Sequence, residues 1–157
     1  MTNDHPACLI DLDIAGIAAG LIDASLPRSR WTHAAHFAAA LWLLRHDPAR
    51  AATIGDLIRR YNSASGGVNS DTEGYHETIT RASLHMAGLA LATHGPEAPL
   101  SAVLADLLAG PLGRSDWLMA HWRRETLFSV EARRGWVAPD LAGLPGWPEY
   151  EPPAGRG

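Results

Sequence analysis

Four residues carry the chemistry most open to this sequence: His33, His36, His76 and Glu77. A neutral imidazole offers a lone pair to a divalent metal and a carboxylate offers oxygen, so three histidines and a glutamate suit one ion with a position left for water or substrate. On a 100° helical step, setting His33 at zero puts Phe37 about 40° away and Leu44 and Ala40 about 20° to either side, which turns His33 toward the core. His36 follows in the i, i+3 relation that lets two side chains meet, giving an H-x-x-H pair on the inner side. In a second segment His76 falls near the middle of an apolar arc formed by Leu89, Met86, Ile79, Ala90 and Leu91. Glu73 precedes it on the same side, and Glu77 stands about 100° further round. Facing helices that supply ligands to a point between them are how helical bundles build metal sites. The expectation is a metal-dependent enzyme acting on a small molecule, with the three imidazoles as ligands and Glu77 as fourth ligand or general base. One divalent transition metal is expected, with Zn, Fe, Mn, Ni and Cu all compatible by ligand type. Oxygen chemistry, hydrolysis and isomerisation all stay open.

Two other readings compete. Histidines on an apolar helix face are commonly core residues whose ring nitrogens are satisfied by backbone or hydroxyl groups. The chain would then be a non-enzymatic ligand-binding or interaction module, its histidines forming a structural hydrogen-bond network. The other alternative is metal-free acid and base catalysis by His76 and Glu77. Among the basic residues, Arg133 and Arg134 could offer a guanidinium to an anionic substrate, against the plainer reading of an ion pair with Asp140.

Composition narrows the field. With 46% hydrophobic and 19% charged residues in 157, the chain has the profile of one globular domain. A net charge of -4 with scattered basic residues argues against nucleic acid or an anionic membrane as partner. There is no basic, apolar leader at Met1–Asp13 and no apolar run of the ~20 residues a spanning helix needs, so a cytoplasmic location is expected. Cys8 is alone, which excludes an intramolecular disulfide and paired-cysteine metal sites. The chain has no lysine, and the loop with Asn62, Ser63, Gly66 and Gly67 lacks the order of a phosphate cradle, so no nucleotide cofactor is expected. A homodimer is compatible with the sequence, although nothing in it requires one.

The elements that must position these residues read as helices throughout. Asp11–Ile22 carries Ile14, Ile17, Ala18 and Leu21 at helical spacing, and Trp31–His46 repeats Phe37, Ala40, Leu41 and Leu44 behind a capping Thr32. Pro48–Ser63 allows one helix starting on a proline, and a loop runs from Ser63 to Ser70. The longest pattern runs from about Thr72 to Thr93 and closes on Gly95 and Pro96. Shorter helices fit Leu100–Leu108, Ser115–Arg123 and a last turn or two from Ser129 to Trp136. Beyond Pro139 prolines and glycines recur, so the reading is an all-α, single-domain irregular bundle of about five to seven helices over residues 1–140, with an extended tail over 141–157 anchored by Trp147 and Tyr150.

Three strings also carry a resemblance: Trp31-Thr32-His33-Ala34-Ala35-His36, Gly74-Tyr75-His76-Glu77-Thr78-Ile79-Thr80, and Glu131 through Asp140 with Ala132-Arg133 and Trp136-Val137-Ala138-Pro139-Asp140. Together they look like a family of small bacterial helical proteins without an assigned activity, in which W/F-T-H-x-x-H, Y-H-E-T-I-T and A-R-x-x-[FW]-V-x-P-D recur in this order. The resemblance spans Trp31 to Asp140. It implies His33, His36, His76 and Glu77 as the polar centre, with Tyr75, Thr80, Arg133 and Asp140 as neighbours. Glu77, Tyr75 and Arg133 are accordingly the expected catalytic residues. His121 lies outside these motifs and is held only as a reserve ligand.

Overall fold

The second helix lies at the middle of the molecule because it is built to be buried on most of its circumference. In a computed structural model that describes residues 11–147, α1 (Asp11–Ile22) is followed by α2 (His33–His46), and α2 buries Ala34, Ala35, Phe37, Ala38, Ala39, Ala40, Leu41 and Leu43. Its alanines leave room for neighbouring helices to come close, and Phe37, Leu41 and Leu43 each contribute about 1.5–3 kcal/mol of burial. The helix packs against α1, α5 and α6. Thr32 caps it by accepting from the Ala35 N–H at 3.1 Å. At the other end Asp47 stops α2 and accepts from the Arg50 N–H, capping α3 (Pro48–Ala52) with Pro48 in the first turn.

The single helix expected over Pro48–Ser63 is two. The chain breaks at Thr53, and α4 (Ile54–Ala64) buries Ile54, Leu57 and Tyr61. The Tyr61 hydroxyl donates to the Leu26 carbonyl at 2.8 Å, tying α4 to the turn after α1.

The long helix is also shorter than its sequence pattern. Residues 72–76 are not helical, and α5 covers Glu77–His94. Gly74 holds φ +86, a left-handed conformation that ends any helix approaching from Thr72. Asn69 fixes the turn, its Oδ1 accepting from the Tyr75 N–H at 3.0 Å and from Asn62 Nδ2 at 3.0 Å. His76 therefore stands as the residue that caps α5, in extended backbone, instead of lying on the helix's apolar face.

A turn at Gly95 leads to α6 (Leu100–Ala109), and Arg45 at the end of α2 braces that turn by donating to the carbonyls of Gly95 and Ala98. The helix expected over Ser115–Arg123 is a 3-10 turn, Trp117–Ala120, followed by the short α7 (Arg124–Leu127) and α8 (Val130–Arg134). Eight α-helices and no strand occur among the described residues, one helix more than the upper bound read from the sequence. The architecture is all-α.

The segment after α8 is irregular, with bends at 140–142 and a turn at 145–146. Trp122 is completely buried and donates to the Val137 carbonyl at 2.9 Å, while Trp136 meets Trp122 edge-on and stacks on Trp147 at 4.3 Å. The anchoring assigned to Tyr150, the rest of the tail after Trp147, and Cys8 lie outside the described residues. Among those described, no helix is long and apolar enough to cross a membrane.

Candidate functional site

Local backbone chemistry decides what the histidines can do. His76 is buried, at 7% exposure, and both of its ring nitrogens are engaged. Nε2–H donates to the Leu127 carbonyl at 2.7 Å, and Nδ1 accepts from the Ile79 N–H at 3.2 Å, the capping bond of α5. A carbonyl can only accept and an amide N–H can only donate, so these partners fix one neutral tautomer and leave no free lone pair. Half-buried His33 donates from Nε2 to the Leu112 carbonyl at 2.7 Å, joining the start of α2 to the turn at Pro111–Gly113. Exposed His36 donates from Nδ1 to the Thr32 carbonyl of its own first turn and stacks on Trp31 at 3.8 Å.

The pattern extends beyond the expected set. His85 reaches the Pro145 carbonyl, His94 the Ala90 carbonyl and His121 the Ala142 carbonyl, each through one ring nitrogen. Six histidines thus bond to backbone oxygen, and four of those bonds join segments more than twenty positions apart.

The ligand set read from the sequence is only partly brought together. His36 and His76 share the wall of a pocket of about 240 Å³ with Trp31, Asn62 and Ile79, whereas His33 does not line it. Glu77 faces a separate cleft, and Glu73 is exposed in the loop before α5. Among the described residues no group of three or more histidine, cysteine, aspartate or glutamate side chains is arranged to hold a metal ion. With His76 spent on backbone at both nitrogens, the residues present do not fit a shared divalent cation. The same commitments leave His76 without a proton to exchange unless the cap of α5 opens. Arg133 and Arg134 do not pair with Asp140 either. Asp140 accepts from the Arg123 N–H and the Thr126 hydroxyl, Arg134 forms a two-pronged pair with Asp71 at 2.8 Å, and Arg133 donates to the Gly74 and Tyr75 carbonyls.

What the structure does assemble is a cleft of about 580 Å³ beside Tyr75. One wall is the α3–α4 junction with Ala52, Gly55 and Arg59, another is the start of α5 with Glu77, Thr80 and Arg81, and Trp147 contributes from the closing segment. Tyr75 Oη donates to Glu77 Oε1 at 2.7 Å, and Glu77 Oε2 accepts from Arg81 Nε at 2.6 Å. The Arg59 guanidinium lies over the Tyr75 ring, 4.3 Å from its centre. Burial, helped by the Glu77 carboxylate, pushes the Tyr75 pKa up to about 12, so its hydroxyl is a proton donor at neutral pH. Tyr75 and Glu77 were legible as polar neighbours, and Arg81 is the i, i+4 partner that an acid in a first helical turn invites. Arg59, His85 and Trp147 carried no such local signal.

Gly55 makes the arrangement possible. A Cβ there would sit 2.6 Å from Tyr75 Oη and 3.0 Å from Cζ, and the ring it would meet is buried and rigid. Gly55→Ala is expected to cost about 1–3 kcal/mol by overpacking. Adding Tyr75→Phe, which removes the closest atom, should recover part of that loss in a double-mutant cycle read by urea unfolding.

The capping histidine also gives stability a pH dependence. Burial lowers the His76 pKa from the ordinary 6.5, so the unfolded chain takes up the proton first. The contribution is complete above pH 6.5 and declines as pH falls from there toward the folded-state value. The urea midpoint should therefore fall between about pH 7.5 and about pH 5.5, and fall less in His76→Asn.

The fold defines an irregular all-α bundle with a polar cleft at the base of its longest helix. No protein-family model, no curated protein and no solved structure matches the chain.

Proposed function

We propose that this chain is a small-molecule-binding module whose ligand lies in the Tyr75 cleft and whose histidines pin the backbone around it. The observation that carries the reading is the division of labour among polar side chains. Six imidazoles are bonded to backbone carbonyls, while Tyr75, Glu77, Arg81 and Arg59 are ordered around an open space of about 580 Å³. That volume is within the ~300–1,000 Å³ of small-molecule sites. The wall combines an apolar side from Ile54, Leu84 and Trp147 with a hydrogen-bonding side from Glu77, Thr80 and Arg81, which suits an organic ligand with an apolar body and a polar end.

The test is a fragment titration followed in ¹H–¹⁵N spectra. Hits are expected to move the amides of residues 52–59 and 75–81 together, and to lose that effect in Ala52→Trp, which fills the cleft from an exposed position without entering the core. Fragments that bind only elsewhere, or equally well to Ala52→Trp, would contradict the assignment.

A further inference from the structure

On the other side of Tyr75 lies a smaller pocket of about 220 Å³, lined by Arg59, Asn69, Ser70, Asp71, Arg133 and Arg134 together with Tyr75 itself. Three guanidiniums face one carboxylate there, in a chain whose net charge is -4. The one acid is already used, because Asp71 is held by both prongs of Arg134 and its pKa is lowered chiefly by that contact.

Arg133 is the unusual member. It forms no salt bridge among the described residues, and Nη1 gives its hydrogen bonds to the carbonyls of Gly74 and Tyr75, which anchor the group without neutralising it. Its Nε is buried with no acceptor, and its Nη2 bonds to none of the described residues. A half-buried guanidinium with one buried nitrogen left without an acceptor is costly unless something nearby supplies negative charge. Arg59 reaches the same pocket from α4, and its pairing with Asp56 is at 3.3 Å on a mostly exposed carboxylate. Ser70 adds a hydroxyl whose oxygen accepts from the N–H groups of Thr72 and Glu73, leaving its proton only a 3.5 Å contact to Thr72 Oγ1.

We propose that this pocket is an oxyanion subsite that takes the phosphate or carboxylate group of a small molecule between Arg133, Arg59 and the Ser70 hydroxyl. Planar guanidiniums suit the oxygens of either group. Arg59 and Tyr75 line both this pocket and the cleft, so the acid group is assigned to the cleft's ligand, a step that rests on the preceding reading.

The experiment titrates the full chain with inorganic phosphate and, separately, with acetate, at ionic strength matched with chloride, following the amides of Ser70, Asp71 and Arg134. Saturable movement with phosphate or with acetate is expected, and the tighter of the two names the acid group. Arg59→Gln should weaken binding by about tenfold, and Asp71→Asn, which removes the only carboxylate lining the pocket, should tighten it by about threefold or more. A gain of affinity cannot arise from a damaged fold, so the second variant keeps the test decisive. Binding retained in Ala52→Trp supports the subsite whatever the fate of the cleft reading. No saturation with either anion, or saturation unchanged in both Arg59→Gln and Asp71→Asn, would overturn the proposal.

Discussion

Replacing His76 by alanine is expected to cost about 3 kcal/mol, the sum of about 1 kcal/mol for a lost helix cap and about 2 kcal/mol for a buried carbonyl left unpaired. The two bonds serve different ends of the molecule. The contact with the Ile79 N–H starts α5, and the contact with the Leu127 carbonyl holds α7 against that start. In a chain of this length the melting temperature should fall by roughly 6–12 °C. Asparagine separates the contributions, since its short amide is a strong cap but does not reach as far as an imidazole. His76→Asn should therefore lie between the parent and His76→Ala. Urea unfolding of the three chains measures this, and equal stability of all three would show that neither bond matters.

The second large effect is expected at Gly74. Its φ of +86 disfavours any residue with a Cβ, and a Cβ at that point would lie 2.1 Å from the Val68 carbonyl oxygen and 2.8 Å from the Asn69 Cα. These are backbone atoms, which cannot rotate away as a side-chain tip could. Gly74→Ala should cost about 2–4 kcal/mol from backbone strain and overpacking together. The damage has a direction, because the turn at Gly74 delivers Tyr75 to the cleft and gives its carbonyl to Arg133. Loss of the Tyr75 to Glu77 contact, seen as a changed Tyr75 ring environment, should accompany the loss of stability. Gly66 also has positive φ, at +93, but nothing lies within 4 Å of an added Cβ, so Gly66→Ala supplies the control for φ strain without collision.

His36, read as facing inward, is exposed, but the helical class, the cap at Thr32 and the buried positions Phe37, Ala40 and Leu41 of α2 were legible in the sequence, because each depends on neighbours within a few positions. The start of α5 was not. The apolar spacing of its residues continues smoothly back to Tyr75, and only the Asn69 and Gly74 turn, closed through a side chain six positions away, cuts it short. That difference moves His76 from the face of a helix to its cap and changes what its nitrogens can do. Tyr75, Glu77 and Arg133 could be singled out, and Arg81 follows Glu77 at i, i+4 within α5, but the partners Arg59 and Gly74 come from other segments and are set by tertiary packing. The bonds from His33 to Leu112 and from His85 to Pro145 span 79 and 60 positions, and a backbone carbonyl leaves no mark in a sequence.

The protonation of the His76 ring, observed through long-range ¹H–¹⁵N couplings of the imidazole at neutral pH, bears most directly on the claim that this side chain is a backbone pin. A proton on Nε2 and a bare Nδ1, unmoved by added Zn²⁺ or by a chelator, is the expected result. A proton on Nδ1, or nitrogen resonances that shift with metal, would contradict it.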